Sequence, residues 1–162
     1  MRIARIDQAI TICDDHLEKS GAKGTEIESF LTQYLCVVMC AAFEEAIKAM
    51  VVERAAQHGD QELKSFVESA AGIVFRSPKT EEITGLLRRF GTDCRGRFRE
   101  ELDRNLKAET FFNNIIVNRH ETAHSSGSNL SFADLVNFYS EGHVVLDAVK
   151  LALMQPGSGN QP

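Results

Sequence analysis

Thr25-Glu26-Ile27-Glu28-Ser29-Phe30-Leu31-Thr32-Gln33-Tyr34-Leu35-Cys36-Val37-Val38-Met39-Cys40-Ala41-Ala42-Phe43-Glu44-Glu45-Ala46-Ile47-Lys48-Ala49-Met50 decides the fold. Thr25 and Glu28 form a capping-box signature, with an oxygen on each side chain placed to satisfy free amides of a first helical turn. Behind it, Leu31, Tyr34, Leu35, Val38, Ala42, Phe43, Ala46, Ile47 and Met50 recur at three and four residues. That is the helical period, and the middle of the stretch is apolar nearly all round, as in a central, enclosed helix. The pattern predicts one long helix from Thr25 to about His58-Gly59.

The flanking segments read the same way. Ile3, Ile6, Ile10, Cys13 and Leu17 predict an amphipathic helix that Ser20-Gly21 ends. Asp60 caps a third, carrying Leu63, Phe66, Val67, Ala70 and Val74, and Ser77-Pro78 interrupts it. Residues 80–108 read as shorter helices around a break at Gly91-Thr92. Phe111, Phe112, Ile115 and Ile116 mark another helix, and Ser125-Ser126-Gly127-Ser128-Asn129 a loop. Ser131 then caps one last helix through Phe132, Leu135, Phe138, Val145, Leu146, Val149 and Leu153. No period-2 alternation and no Asn-Gly or Asp-Gly hairpin signal occurs. The expectation is an all-α single domain over 1–154 with a flexible tail at 155–162.

At 162 residues the chain is long enough to enclose a core without disulfides or structural metal. Its net charge of -5 excludes a global positive field for nucleic acid, so any RNA contact must be local. The longest apolar run, Tyr34 to Phe43, is well short of the roughly 20 residues that span a bilayer. With no signal-peptide core at the N-terminus, the expected location is cytoplasmic. Cys13, Cys36, Cys40 and Cys94 read as small buried hydrophobes in a reducing compartment. Cys36 and Cys40 are four apart, but no second Cys/His pair has zinc-finger spacing.

Chemistry concentrates in Asn118-Arg119-His120-Glu121-Thr122-Ala123-His124-Ser125, where two motifs overlap. His120-Glu121-x-x-His124 is a zincin pattern, with histidines about 40° apart on a helix and a glutamate between them as general base. Glu141 or His143 would be its third ligand. The sequence offers no strand to hold a peptide substrate, and His124 abuts a loop, so a zinc hydrolase is the weakest of three readings. Arg119-x4-His124 instead suits phosphodiester cleavage. Arginine is a permanent planar cation for the charge that builds on non-bridging oxygens, and histidine titrates near operating pH. On an ideal helix the two are about 140° apart, which the following loop or a two-fold dimer would relax.

The stretch Ile115-Ile116-Val117-Asn118-Arg119-His120-Glu121-Thr122-Ala123-His124, then a polar loop, then Leu130-Ser131-Phe132-Ala133-Asp134-Leu135, resembles the HEPN superfamily. The nearest likeness is to HEPN-like nucleases of bacterial conflict and RNA-repair loci. It covers most of residues 1–153, strongest over 110–150 and loose over 76–108. It implies a HEPN-like helical bundle with a long central helix, a homodimer with the motif at its interface, and metal-independent endoribonuclease activity without a cofactor. Arg119 and His124 would be the catalytic pair, with His120 assisting. Many members carry glycine directly after the second histidine; here it is Ser125, with Gly127 later.

Further expectations attach to this reading. Arg97, Arg99 and Arg104 belong to an arginine-rich stretch that would contact RNA phosphates, unless Glu100, Glu101 and Asp103 merely offset them on a solvated face. Glu44 or Glu45 would support the Arg119 guanidinium. The partners would be an RNA substrate, a second copy and a cognate antitoxin or inhibitor, the chain acting as a toxin or defence effector, with no membrane involved. A catalytically silent HEPN scaffold is the alternative.

Overall fold

The computed structural model describes residues 1–57, 59–75, 77–124 and 130–155; the side chains of Val74 and of residues 120–124 lie outside that description. So do His58, the expected Ser125–Asn129 loop, and the tail beyond Gln155. The described residues form eight α-helices and no strand, so the expected all-α fold is the fold found. They are α1 (Ala4–Ser20), α2 (Glu26–Ala56), α3 (Gln61–Val74), α4 (Thr80–Arg88), α5 (Thr92–Arg104), α6 (Leu106–His124), α7 (Phe132–Gly142) and α8 (Val144–Met154). The 31-residue α2 is the long helix read from the sequence.

Local chemistry sets most of the boundaries. Gly21 closes α1 in the left-handed region at φ 64°, which costs glycine little. At the start of α2, Thr25 Oγ1 accepts the Ile27 amide at 3.2 Å, and Glu28 Oε2 accepts the Gly24 amide at 2.6 Å. Both side chains of the expected box bind here, each accepting from the amide one residue earlier along the chain than in the standard box. Asp60 accepts the Leu63 amide at 2.9 Å to start α3, and Ser131 accepts the Asp134 amide at 3.0 Å to start α7.

The chain forms two compact units, Met1–Ala42 with Lys107–Val144, and Phe43–Leu106 with Val145–Pro162. In the first, α6 is bound from two sides. The Cys36 thiol of α2 donates to the Ile115 carbonyl at 3.1 Å. On α7, Gly142 comes so near that a Cβ there would stand 2.8 Å from the Phe112 amide nitrogen and 3.0 Å from Phe112 Cα. Phe111 and Phe138 add a tilted ring pair at 4.9 Å. The second oxygen of Glu28 accepts the Phe132 amide at 3.2 Å, tying the starts of α2 and α7. Tyr139 is fully buried; its hydroxyl accepts the Ile3 amide at 2.8 Å and holds the N-terminal segment on α7.

In the second unit, Cys94 and Arg97 of α5 bind the last turn of α8, and Gln57 donates to Met154 Sδ at 3.0 Å. Phe43, Ile47, Ile83, Leu87, Phe98 and Leu102 are fully buried, each burial stabilising by roughly 1.5–3 kcal/mol.

Two expectations need correction. The single last helix is two, α7 and α8, separated at His143. Gly142, the poorest helix former in that run, sits where α7 must touch the α6 backbone, so contact rather than propensity chooses the residue. The apolar faces of α2 and α3 are also less enclosed than their patterns imply. Phe30 and Tyr34 of α2 are 66% and 65% exposed, and Phe66 and Ile73 of α3 are 70% and 65% exposed.

Gly142→Ala should destabilise the protein by about 1–3 kcal/mol, because backbone atoms cannot give way as a side chain would. Gly85→Ala, in α4 with nothing within 4 Å of the added carbon, should stabilise by about 0.5–1 kcal/mol. Urea midpoints of the two variants check this pair of opposite signs.

Candidate functional site

Arg119 lies in the last turns of α6, partly buried, and α6 runs on to His124. The Arg119 charge is felt by two thiols of α2. Cys36 and Cys40 are 1% and 0% exposed, and one helical turn apart they share a face. Both thiols donate to the Ile115 carbonyl, at 3.1 Å from Cys36 and 3.8 Å from Cys40. Along an α-helix that carbonyl also receives the Arg119 amide four residues on. Sulfur suits this place: the side chain is small enough for two helices to approach, and a weak donor loses little on leaving water.

The electrostatics join the same groups. The neighbouring Cys40 pushes the Cys36 thiol down against its burial, and the Arg119 charge adds to that. Cys40 is pushed far up by Cys36 and by burial, with the Arg119 charge opposing. Cys40 therefore keeps its proton, and the guanidinium acts on both sulfurs.

His120 and His124 occupy α6 one and five positions after Arg119; their side chains are outside the description. Because the helix continues through His124, five positions separate Arg119 and His124 by about 140° around the axis and about 7.5 Å along it. The two candidate third ligands of the zincin reading are occupied otherwise. Glu141 pairs with Lys107 at 3.7 Å, and His143 Nδ1 lies 3.2 Å from the Tyr139 carbonyl. Among the described residues no three His, Cys, Asp or Glu side chains are grouped to hold a metal.

Glu44 is partly buried and bound to Lys48 at 2.5 Å; Glu45 is exposed. Both belong to the second unit, Arg119 to the first. The three arginines expected at RNA phosphates have protein partners. Arg97 Nη2 donates to the Ala152 carbonyl at 2.8 Å and the Gln155 carbonyl at 3.2 Å. It is a cation at the C-terminal end of α8, where carbonyls without intrahelical partners collect negative charge. Arg99 faces Asp103 at 3.7 Å, and Arg104 pairs with Glu101. Both of these pairs are surface pairs of small individual worth.

Sequence reading took Cys36 and Cys40 for core hydrophobes and missed that they bind the Ile115 carbonyl, one turn before Arg119. Their i,i+4 spacing was the available signal.

An all-α fold with a long second helix and an Arg-x4-His segment closing a later one defines a HEPN domain. The sequence model of the family described as RiboL-PSP-HEPN matches residues 1–155, and the chain belongs to that family. No curated protein and no solved structure matches the chain. Among the described residues no helix is long and apolar enough to cross a membrane.

Arg97→Ala should lower stability by about 1.5–3 kcal/mol, the scale of a hydrogen bond to a charged group, through the freed α8 carbonyls. Arg104→Ala should stay within about 0.5 kcal/mol of the parent. Thermal unfolding followed by circular dichroism separates the two.

Proposed function

We propose that this chain is a metal-independent endoribonuclease of HEPN type. The RNA 2′-hydroxyl attacks the adjacent phosphorus, the bond to the 5′-oxygen breaks, and a cyclic phosphate and a free 5′-hydroxyl result. Arg119 neutralises the non-bridging oxygens as charge grows on them. His124 carries the proton transfers, and His120 assists. The observation that supports this most is Arg119 itself: a partly buried guanidinium on α6, five positions before a histidine, in a chain of the HEPN family.

The angular separation of Arg119 and His124 on one helix favours a site completed by a second copy. A stripe on α2 offers the surface for it. Ile27, Phe30, Tyr34 and Val37, spaced three and four apart, are 49%, 66%, 65% and 43% exposed, more apolar surface than a lone helix face keeps in water without reason. Arg99 and Arg104 are the remaining candidates for phosphate contact on α5, where an RNA phosphate competes with Asp103 and Glu101. A toxin or defence effector in the cytoplasm, restrained by an inhibitor protein, is the role we attach to this activity.

Arg119→Ala and His124→Ala should each abolish cleavage of single-stranded RNA while the helical circular-dichroism signal stays intact, and chelator should leave the parent's activity unchanged. Parental rates in either variant overturn the site. A parent that binds RNA without cleaving it points to the silent scaffold instead. Phe30→Glu with Tyr34→Glu should convert a dimer to a monomer in sedimentation velocity and remove cleavage with it. A doubly substituted chain that sediments as the parent does would exclude this stripe as the interface.

A further inference from the structure

We propose that Cys36 and Cys40 are positioning residues for Arg119, a two-thiol clamp from α2 that fixes the α6 turn from which the guanidinium projects. The proposal rests on the nuclease reading only for what Arg119 does; the clamp itself is a statement about four residues of one unit.

Both sulfurs converge on one acceptor. The Ile115 carbonyl receives Cys36 at 3.1 Å and Cys40 at 3.8 Å, in surroundings where both side chains are almost fully buried. That carbonyl belongs to the hydrogen bond that closes the helical turn at Arg119. Two donors on its remaining lone-pair side fix that turn against α2, so α6 cannot rotate there without leaving buried polar atoms unpaired.

The charge of Arg119 is felt at both sulfurs, adding to the fall at Cys36 and opposing the rise at Cys40. Arg119 is thus held through its own helical turn. A turn that shifted would carry the guanidinium with it, and an ångström of misplacement at a reacting phosphate costs up to about a hundredfold in rate. A carboxylate in place of Cys40 would offset the charge meant for the phosphate, whereas the Cys40 thiol keeps its proton.

The experiment compares the full-length parent with Cys36→Ala/Cys40→Ala and Cys36→Ser/Cys40→Ser, using two readouts. One is hydrogen exchange at the Arg119 backbone amide, which donates to the clamped Ile115 carbonyl, by nitrogen-resolved NMR. The other is steady-state cleavage of single-stranded RNA. The alanine pair should speed exchange of that amide roughly tenfold. It should lower kcat by about ten- to a hundredfold with KM within about threefold. The serine pair, which keeps a donor and an acceptor at each place, should recover most of both. Parental exchange and parental kcat in the alanine pair overturn the clamp, as does a kcat loss that serine does not recover. If the parent cleaves no RNA, the nuclease reading fails while the exchange readout still decides the clamp. Should the alanine pair not fold, the single variants Cys36→Ala and Cys40→Ala each carry the same test, with Cys36→Ala, which removes the nearer donor, expected to show the larger exchange effect.

Discussion

Two close approaches to the backbone of α6 constrain the first unit. On one side a thiol of α2 reaches the Ile115 carbonyl, and on the other Gly142 of α7 lies where no Cβ fits beside Phe112. Backbone atoms yield far less than side chains, so α6 is fixed in rotation and depth at two points three residues apart along its axis. Small residues are required at both contacts: cysteine where a weak donor is useful, glycine where nothing at all can stand. The segment that ends in Arg119 and runs to His124 is presented by a helix held in this way.

The remaining polar contacts of that unit extend the same arrangement. Glu28 uses one oxygen for the start of its own helix and the other for the first amide of α7, so a residue that caps one helix also places another. Tyr139 accepts the Ile3 amide from a buried position, and burial pushes its hydroxyl pKa up. The N-terminal segment and α2 are thus both tied to α7 in this HEPN-family chain.

Two arginines of this acidic chain meet different surroundings. Arg97 spends its guanidinium on the carbonyl end of α8, whereas the Arg119 charge is felt by Cys36 and by Cys40, and Cys40 keeps its proton. Charge clustering along the sequence could not distinguish these, because the deciding acceptor lies 55 residues from Arg97 and the thiol bonded to the Arg119 turn 79 residues from Ile115.

The helices themselves were legible in the amino-acid order. Capping residues Thr25, Asp60 and Ser131, the left-handed stop at Gly21 and the 3.6-residue recurrence in α1 and α2 act over a few residues, so short-range patterns suffice to read them. The Arg119–His124 segment was legible for the same reason, as a local spacing of two reactive groups. The break at His143, the exposure of Phe30, Tyr34 and Phe66, the carbonyls that take Arg97 and the thiols at the Ile115 carbonyl were not. Each depends on which element arrives opposite, and helical periodicity says that a face is apolar without saying what covers it. Packing made those choices, because only a folded chain brings a thiol of one helix to a carbonyl of another.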